Sequence, residues 1–499
     1  MKIDNRRSVA LLGVVLLAAL GLRMFHLQDR VLWLDEADSL LIARAGPAEI
    51  IDAVRDDIHS PFYYLILHYW QFIVGGEAGA RRLSVLAGVA TVAVVYAMGR
   101  TLAGRGAGLL AAAFLAVCPL HVWYSQETRM YALQTLLVTL SFLFMVLALR
   151  QRRAALWMGY SVVAALSLYA QYASVYALVA QNVFVLAYNR RDRQKQHYWL
   201  ASQCVVMVLF APWLPVFVSQ TRMGMGSSWM EPLEFSRVLA FFSLFSGAYL
   251  GDPHGRSVSV AITMAALIVP ITILFRRRES RQFAALLALW FVVPVVLLAM
   301  QSLNQNRFLP RALLCTTPPL ALLLGCAVTQ PGKMATRTVL VLTGIALFVA
   351  NLYALRNYYF LENRWVKSDL REAAGKVAKE FQAGDVVVHI TESSLRPFQC
   401  YLGDGVGQGV IDPPAYLPHK FRVIGDERLP QSTSEFRRIW LVLYPDRFHP
   451  NLAETTRNWM NHHHHFVRAL YDSGTVFVGL YERQDPQLVP AAMQNSQKS

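Results

Sequence analysis

Over the first 350 residues, apolar residues come in long runs broken by short polar stretches. Crossing a bilayer as a helix takes about 20 predominantly apolar residues. That pattern predicts spans at 8–25, 82–99, 107–122, 131–149, 154–170, 173–188, 198–217, 257–275, 282–300, 311–328 and 337–354. The stretch from Pro61 to Val74 is too short and too rich in Tyr, Trp and His to match them, and reads as an interfacial helix. Beyond the last span the period changes. Residues 369–381 place Leu370, Ala373, Ala374, Val377 and Phe381 on one helical side. Asp385 to Ile390, Ile439 to Tyr444 and Thr475 to Tyr481 then read as buried strands, which predicts a small α/β domain. The tail from Gln484 is polar and expected to fray.

Composition agrees with lipid as the main solvent. Of 499 residues, 55% are hydrophobic and 16% charged, too few charges to cover a soluble surface of this size. The formal charge is +15, but the basic residues sit in short clusters between apolar runs rather than on one polar face, so nucleic acid is not an expected partner. Lys and Arg favour the cytoplasmic side of a bilayer. With the N-terminus inside, the clusters at Arg100/Arg105, Arg150–Arg153, Arg190–Lys195, Arg276–Arg281 and Lys333/Arg337 all fall on that side, provided that Pro61 to Val74 does not cross. Lys2, Arg6 and Arg7 before the first run resemble a signal peptide, but no small-residue cleavage site follows, so a retained first helix is expected. The five cysteines form no framework and no zinc spacing. The run His462 to His465 reads as a surface stretch.

The same threading gathers an unusual polar set on the opposite face. It holds Asp35 and Glu36 after Trp33-Leu34, His59 to Tyr64, Arg81 and Arg82, Tyr124 to Tyr131, and Asn304 to Arg311. Each has a plain structural reading. The acidic pair could cap a short helix near Ala37, the arginines could snorkel at helix ends, His59 could mark a turn, and Tyr63, Tyr64, Tyr169 and Tyr172 could be an aromatic belt. Glu127 and Arg129, two apart, would not face each other on a helix and are expected to meet different partners. As a set they suit one chemistry. A carboxylate can deprotonate an acceptor hydroxyl or amine. Arginines can neutralise a phosphate leaving group held at the membrane surface.

Taken in order, these segments resemble the GT-C superfamily of membrane glycosyltransferases, and within it the bacterial branch similar to protein O-mannosyltransferases and lipid A aminoarabinose transferases. The resemblance rests on Asp35-Glu36, His59 to Tyr64, Arg81 to Gly88, Tyr124 to Tyr131, Asn306-Arg307-Phe308-Leu309-Pro310 and Lys367 to Ala374. It implies an α-helical polytopic membrane protein of about eleven spans with a C-terminal extracytoplasmic α/β domain. The expected divisions are a catalytic module over 1–354 with its first outer loop at 26–80, a periplasmic domain over 355–483, and a flexible tail over 484–499. The implied reaction is inverting transfer of a monosaccharide from a polyprenyl-phosphate donor to a glycolipid, glycan or protein acceptor. It would take place on the periplasmic side of a bacterial inner membrane, among membrane lipids. Asp35 would be the base and Glu36 its support, with Arg129, Arg307 and Arg81 on the donor phosphate. His59, Tyr63, Tyr64, Glu127 and Tyr131 would shape the pocket. His59-Ser60-Pro61 departs from the commoner His-Pro-Pro. Some superfamily members use a divalent metal; no ligand cluster supports one here, and no cofactor is assigned. A transporter, flippase or ligase of lipid-linked glycans is the competing class, and a transporter should carry its polar groups near the bilayer midplane.

Overall fold

The computed structural model describes residues 4–222, 232–247, 253–305, 308–360, 370–402, 436–444 and 452–483. The chain divides into two compact units, Met1–Leu27 with Ala45–Asn363, and Gln28–Arg44 with Arg364–Ser499.

The first unit is helical. It opens with α1 (Asn5–Met24), and the chain then passes through α2 (Leu34–Arg44), which belongs to the second unit. The helical unit continues with α3 (Pro47–Arg55), α4 (Phe62–Ile73), α5 (Gly76–Ala103), α6 (Arg105–Ala116), α7 (Pro119–Tyr124) and α8 (Tyr131–Gln151). After these come α9 (Ala154–Ala170), α10 (Ser174–Asn189), α11 (Arg193–Phe210), α12 (Leu214–Arg222) and α13 (Phe235–Ser243). The last four are α14 (Pro253–Phe275), α15 (Arg281–Gln305), α16 (Thr317–Thr329) and α17 (Met334–Phe360), with a 3₁₀ turn at Pro310–Thr316 before α16.

Each of the eleven predicted spans overlaps helix. Among the described residues, eight helical segments are long and apolar enough to cross a membrane, while α6 and α9 are shorter apolar helices. With 12 residues, α4 would rise only about 18 Å, too little to cross. It buries Tyr63, Tyr64 and Leu67 and exposes Tyr69, Phe72 and Ile73, the two-faced pattern of an interfacial helix.

The span expected at 107–122 is instead broken, because Pro119 removes a backbone donor and pushes Cys118 into extended backbone. The carbonyls released at the end of α6 are taken by Arg23, which is fully buried. Its guanidinium donates to Ala116 O (3.1 Å), to Ala19 O on its own helix (3.0 Å) and meets His121 Nδ1 at 2.8 Å. A cation beside helix C-terminal carbonyls is favoured by the helix dipole. Between α5 and α6, Gly104 turns the chain at φ 94° and Gly108 lets the two backbones touch. A Cβ at Gly108 would lie 2.5 Å from the carbonyl oxygen of Tyr96.

Contacts sort the loops of this unit into two ends. At one, Arg150 bonds the carbonyl of Thr101, and Arg152 pairs with Asp192 at 3.0 Å. Three of the basic loops predicted to share a side therefore meet. At the other end, Arg81 donates to Leu27 O (3.1 Å), and Gln126 Nε2 donates to Phe25 O (2.9 Å) and Arg23 O (3.0 Å). Helix α8 runs from one set to the other, and its 21 residues separate them by about 30 Å.

The second unit is an α/β fold. Its strands are β1 (Asp385–His389), β2 (Arg438–Leu443), β3 (His464–Asp472) and β4 (Phe477–Arg483), in the order β1-β2-β4-β3. Only β1 and β2 are parallel. Helices α18 (Leu370–Glu380), α19 (Glu392–Leu402) and α20 (Leu452–His463) accompany them. The sheet is covered on both faces, which is why its central strands read as unbroken apolar runs. Val387, Trp440 and Val478 pack with Leu370, Val377 and Phe398, while Val386, Ile439 and Leu441 pack with Met460. Buried Asp385 is satisfied by Trp440 Nε1 (2.9 Å) and Gln382 N (3.0 Å), with Arg438 at 3.6 Å.

The histidine run is exposed at His462, His463 and His465, as a surface stretch would be, and forms the junction between α20 and β3. His463 stacks on Trp459, and His464 turns inside because strand alternation points it inward. The strand β3 itself was not expected from the sequence. The segment 28–44, expected within the membrane module, packs instead with the α/β unit, where Val31 enters the core.

His389 is fully buried, its Nδ1 3.0 Å from Ser394 Oγ, and burial pushes its pKa down to about 3. The unfolded chain, with a pKa of about 6.5, takes up that proton first. The stabilisation is therefore complete above pH about 6.5 and lost as pH falls toward 3, at up to about 1.4 kcal/mol per pH unit. Hydrogen exchange of β1 and β2 peptides, corrected for intrinsic rate, should lose protection across that window. The nontitrating variant His389→Asn should flatten the slope.

Candidate functional site

The polar residues at the Arg81 end of the helical unit converge. His59 lies in the bend before α4, and its Nε2 is 2.8 Å from Arg129 Nη2. A guanidinium can only donate, so in this contact the ring accepts at Nε2 and carries its proton on Nδ1. Tyr64, one turn into α4, stacks on His59 at 6.2 Å, and Tyr63 packs edge-on against Tyr64 at 5.8 Å. Both tyrosines are fully buried, a burial that an aromatic belt at a lipid surface would not require. Arg129 also lies over the Tyr131 ring at 5.8 Å, and Arg311, from the 3₁₀ turn before α16, lies over the same ring at 5.8 Å.

Arg81 and Arg129 are buried, at 0% and 1% exposure, so neither is a snorkelling side chain in water. Helix α5 joins the two, because Ser84, one turn after Arg81, donates to the carbonyl of Arg129 (3.3 Å). Glu127 turns elsewhere and accepts from Trp123 Nε1 at 2.7 Å. Gln126, in the same motif, is structural: its amide holds the end of α1 and accepts from Tyr358 on α17 (2.9 Å).

The structure thus brings together His59, Tyr63, Tyr64, Arg129 and Tyr131, with Arg81 one helix turn from the serine that holds Arg129. Arg307 lies outside the described residues. Arg311 takes part although it was read only as the end of a loop motif; its signal was an arginine directly after Pro310 at a span entrance.

Asp35 and Glu36 are placed differently from a solvated loop pair. Helix α2 begins at Leu34, so both stand in its first turn, and both are buried at 6% and 2% exposure. Acidic residues in the first turn face the partial positive charge of a helix N-terminus. Adjacent residues point about 100° apart on a helix, which suits two different roles rather than one shared one. Ser39 Oγ donates to Asp35 O (2.8 Å) and tightens that turn. Among the described residues no group of three or more His, Cys, Asp or Glu could hold a metal ion.

With this geometry in hand, comparison with known proteins shows what the chain is similar to. Residues 59–215 match the family described as dolichyl-phosphate-mannose-protein mannosyltransferase. The fold is similar to that of ArnT from Cupriavidus metallidurans in its apo state, at 13% identity and TM-score 0.66, covering 95% of this chain and 97% of that one. The form of that protein bound to undecaprenyl phosphate matches at 12% identity and TM-score 0.60, over 95% and 97% of the two chains. The Archaeoglobus fulgidus oligosaccharyltransferase matches at 12% identity and TM-score 0.59, over 98% of this chain and 76% of that one. No curated protein matches the sequence. The chain is a multi-pass membrane protein with the fold of these GT-C glycosyltransferases.

One supporting network was not legible as such. Tyr172, which the sequence left as a candidate belt residue, donates to Gln220 Oε1 (2.7 Å) and accepts from Trp213 Nε1 (2.7 Å). Gln220 Nε2 in turn donates to Val54 O (2.7 Å) and Arg55 O (3.2 Å), just before the bend that carries His59. Gln220→Leu should strand these buried groups at about 1–3 kcal/mol. Faster amide exchange over residues 54–61, with α8 unchanged, is the expected readout.

Proposed function

We propose that this protein is an inverting glycosyltransferase that moves a monosaccharide from a polyprenyl-phosphate donor to an extracytoplasmic acceptor. The observation that carries the reading is the buried cluster of Arg129, His59 and Tyr131 with Arg311, at a helix end where a lipid phosphate would sit. The undecaprenyl phosphate bound by the fold neighbour supports it. So does the position of the charged cluster at helix ends, where a transporter would need polar groups near the midplane.

In this mechanism Asp35 removes the proton from the acceptor hydroxyl or amine. The freed lone pair attacks the anomeric carbon from the face opposite the phosphate. The carbon–oxygen bond to the phosphate breaks, and its electron pair leaves with the polyprenyl phosphate. Arg129 and Arg81, with Arg307 as a further candidate, stabilise that developing charge, because charge-assisted bonds are strongest where charge grows. Glu36 orients the acceptor, and Tyr63, Tyr64 and Tyr131 offer faces to the sugar. His59 holds Arg129. Glu127 fixes the loop between α7 and α8 through Trp123. The active site and the α/β unit would face the periplasm of a bacterial inner membrane, with the N-terminus cytoplasmic. Donor sugars of both hexose and pentose type, and glycolipid, glycan or protein acceptors, fit this reading.

The test uses membranes holding the full chain, offered undecaprenyl-phosphate mannose and undecaprenyl-phosphate 4-amino-4-deoxyarabinose with envelope glycolipid and protein as acceptors. Asp35→Asn should lower transfer by about 10²–10⁴-fold, the usual range for a lost general base. Transfer by that variant at the unchanged rate would remove the assignment. Arg129→Ala should weaken undecaprenyl phosphate binding by about 10–100-fold, as expected for a charge-assisted bond of about 1.5–3 kcal/mol.

A further inference from the structure

Helix α2 has 11 residues, too few to be stable as an isolated helix, so its position is set by what it packs against. The second unit provides that support at the approach to the helix, at its middle and at its end. Before the helix, Arg371 on α18 donates to Arg30 O (2.8 Å) and Gln28 O (3.2 Å). Its guanidinium lies 5.9 Å over the ring of Tyr401 on α19, and the Tyr401 hydroxyl accepts from Leu32 N (2.8 Å). Two residues on different helices thus clamp the backbone immediately before Asp35, and Val31 between the clamped positions sits in the core beneath the sheet.

Along the helix, Asp38 pairs with Arg396 on α19 at 3.3 Å, an ion pair rather than an aligned hydrogen bond, and Cys400 Sγ meets Ala37 O at 3.6 Å. Asp38 follows Asp35 by three residues and so shares its side of the helix. At the helix end, Arg44 donates to Cys400 O (3.3 Å).

We propose that the C-terminal α/β unit is the frame that positions the carboxylate helix, with Arg371, Tyr401 and Arg396 as positioning residues for Asp35 and Glu36. This rests on the reading of Asp35 as the base. A displacement of about 1 Å at a reacting group can cost about 10²-fold in rate, so a clamp on the backbone two residues from the helix start bears directly on turnover. It also gives a reason for the α/β unit to share its core with a segment more than 300 residues away in sequence.

The experiment uses the full chain in phospholipid nanodiscs, comparing wild type with Arg371→Ala, Tyr401→Phe, their double variant and Arg396→Ala. Amide exchange over 30–44 should rise about tenfold or more in the double variant, as local opening no longer has to break the three hydrogen bonds made by Arg371 and Tyr401. Exchange in β1 and β2, and affinity for undecaprenyl phosphate, should stay within about twofold, since the proposal leaves the fold and the arginine cluster untouched. With undecaprenyl-phosphate mannose and undecaprenyl-phosphate 4-amino-4-deoxyarabinose as donors, kcat should fall about tenfold at constant KM, the signature of an interaction needed only in the transition state. Arg396→Lys and the swap Asp38→Lys with Arg396→Glu should both restore protection of 30–44.

Unchanged exchange over 30–44 in the double variant overturns the proposal, as does increased exchange with full kcat. Asp35→Asn run alongside separates the two readings. Its full turnover would overturn the catalytic assignment, while the exchange data would still decide whether the frame holds α2.

Discussion

A charge taken into a medium of low dielectric must be met by fixed partners, and the helical unit is arranged around that constraint. Arg23 is fully buried, and the partners it finds are carbonyls at the end of α6 and the imidazole of His121. Because it satisfies those carbonyls, the chain can break at Pro119 and turn through α7 without leaving bare backbone in an apolar setting. That break starts the 119–131 segment, and with it the loop that brings Arg129 to His59. Structural and candidate catalytic arginines are thus consecutive parts of one polar end.

The same constraint separates residues with similar sequence signals. Gln126, Glu127 and Arg129 sit within four positions, yet one fastens α1 to α17, one bonds Trp123, and one meets His59 and Tyr131. Each is buried, and a buried polar group requires its own partner. Crowding of this kind explains why Ser125 to Arg129 is polar throughout. It also explains the Tyr172–Trp213–Gln220 network, which closes the carbonyls ahead of His59.

In the α/β unit, covering both faces of the sheet makes the strands apolar, and the core accepts a segment from the distant N-terminal part of the chain. Helix α2 carries the two carboxylates in its first turn, and the polar ties that hold it come from α18 and α19. A short helix held by a folded domain is stiffer than one held by a loop.

Much of the fold was already written in local pattern. Apolar run length gave the helices, because a span must satisfy its backbone internally over a fixed thickness. The short aromatic stretch at 61–74 gave α4 as a non-crossing helix, and the ordered loop motifs gave the GT-C resemblance. Three of the strands were legible from their apolar runs. What tertiary structure alone decided depends on contacts between distant positions. The break after Ala116 required Arg23, the inward turn of His464 required the β3–β4 pairing, and Arg311 and Arg129 came to share the ring of Tyr131. The assignment of residues 28–44 to the C-terminal unit was equally invisible, since no local pattern records that Val31 and Trp440 share a core. Sequence period reports which face of an element is apolar; which partner covers that face is settled only when the chain is packed.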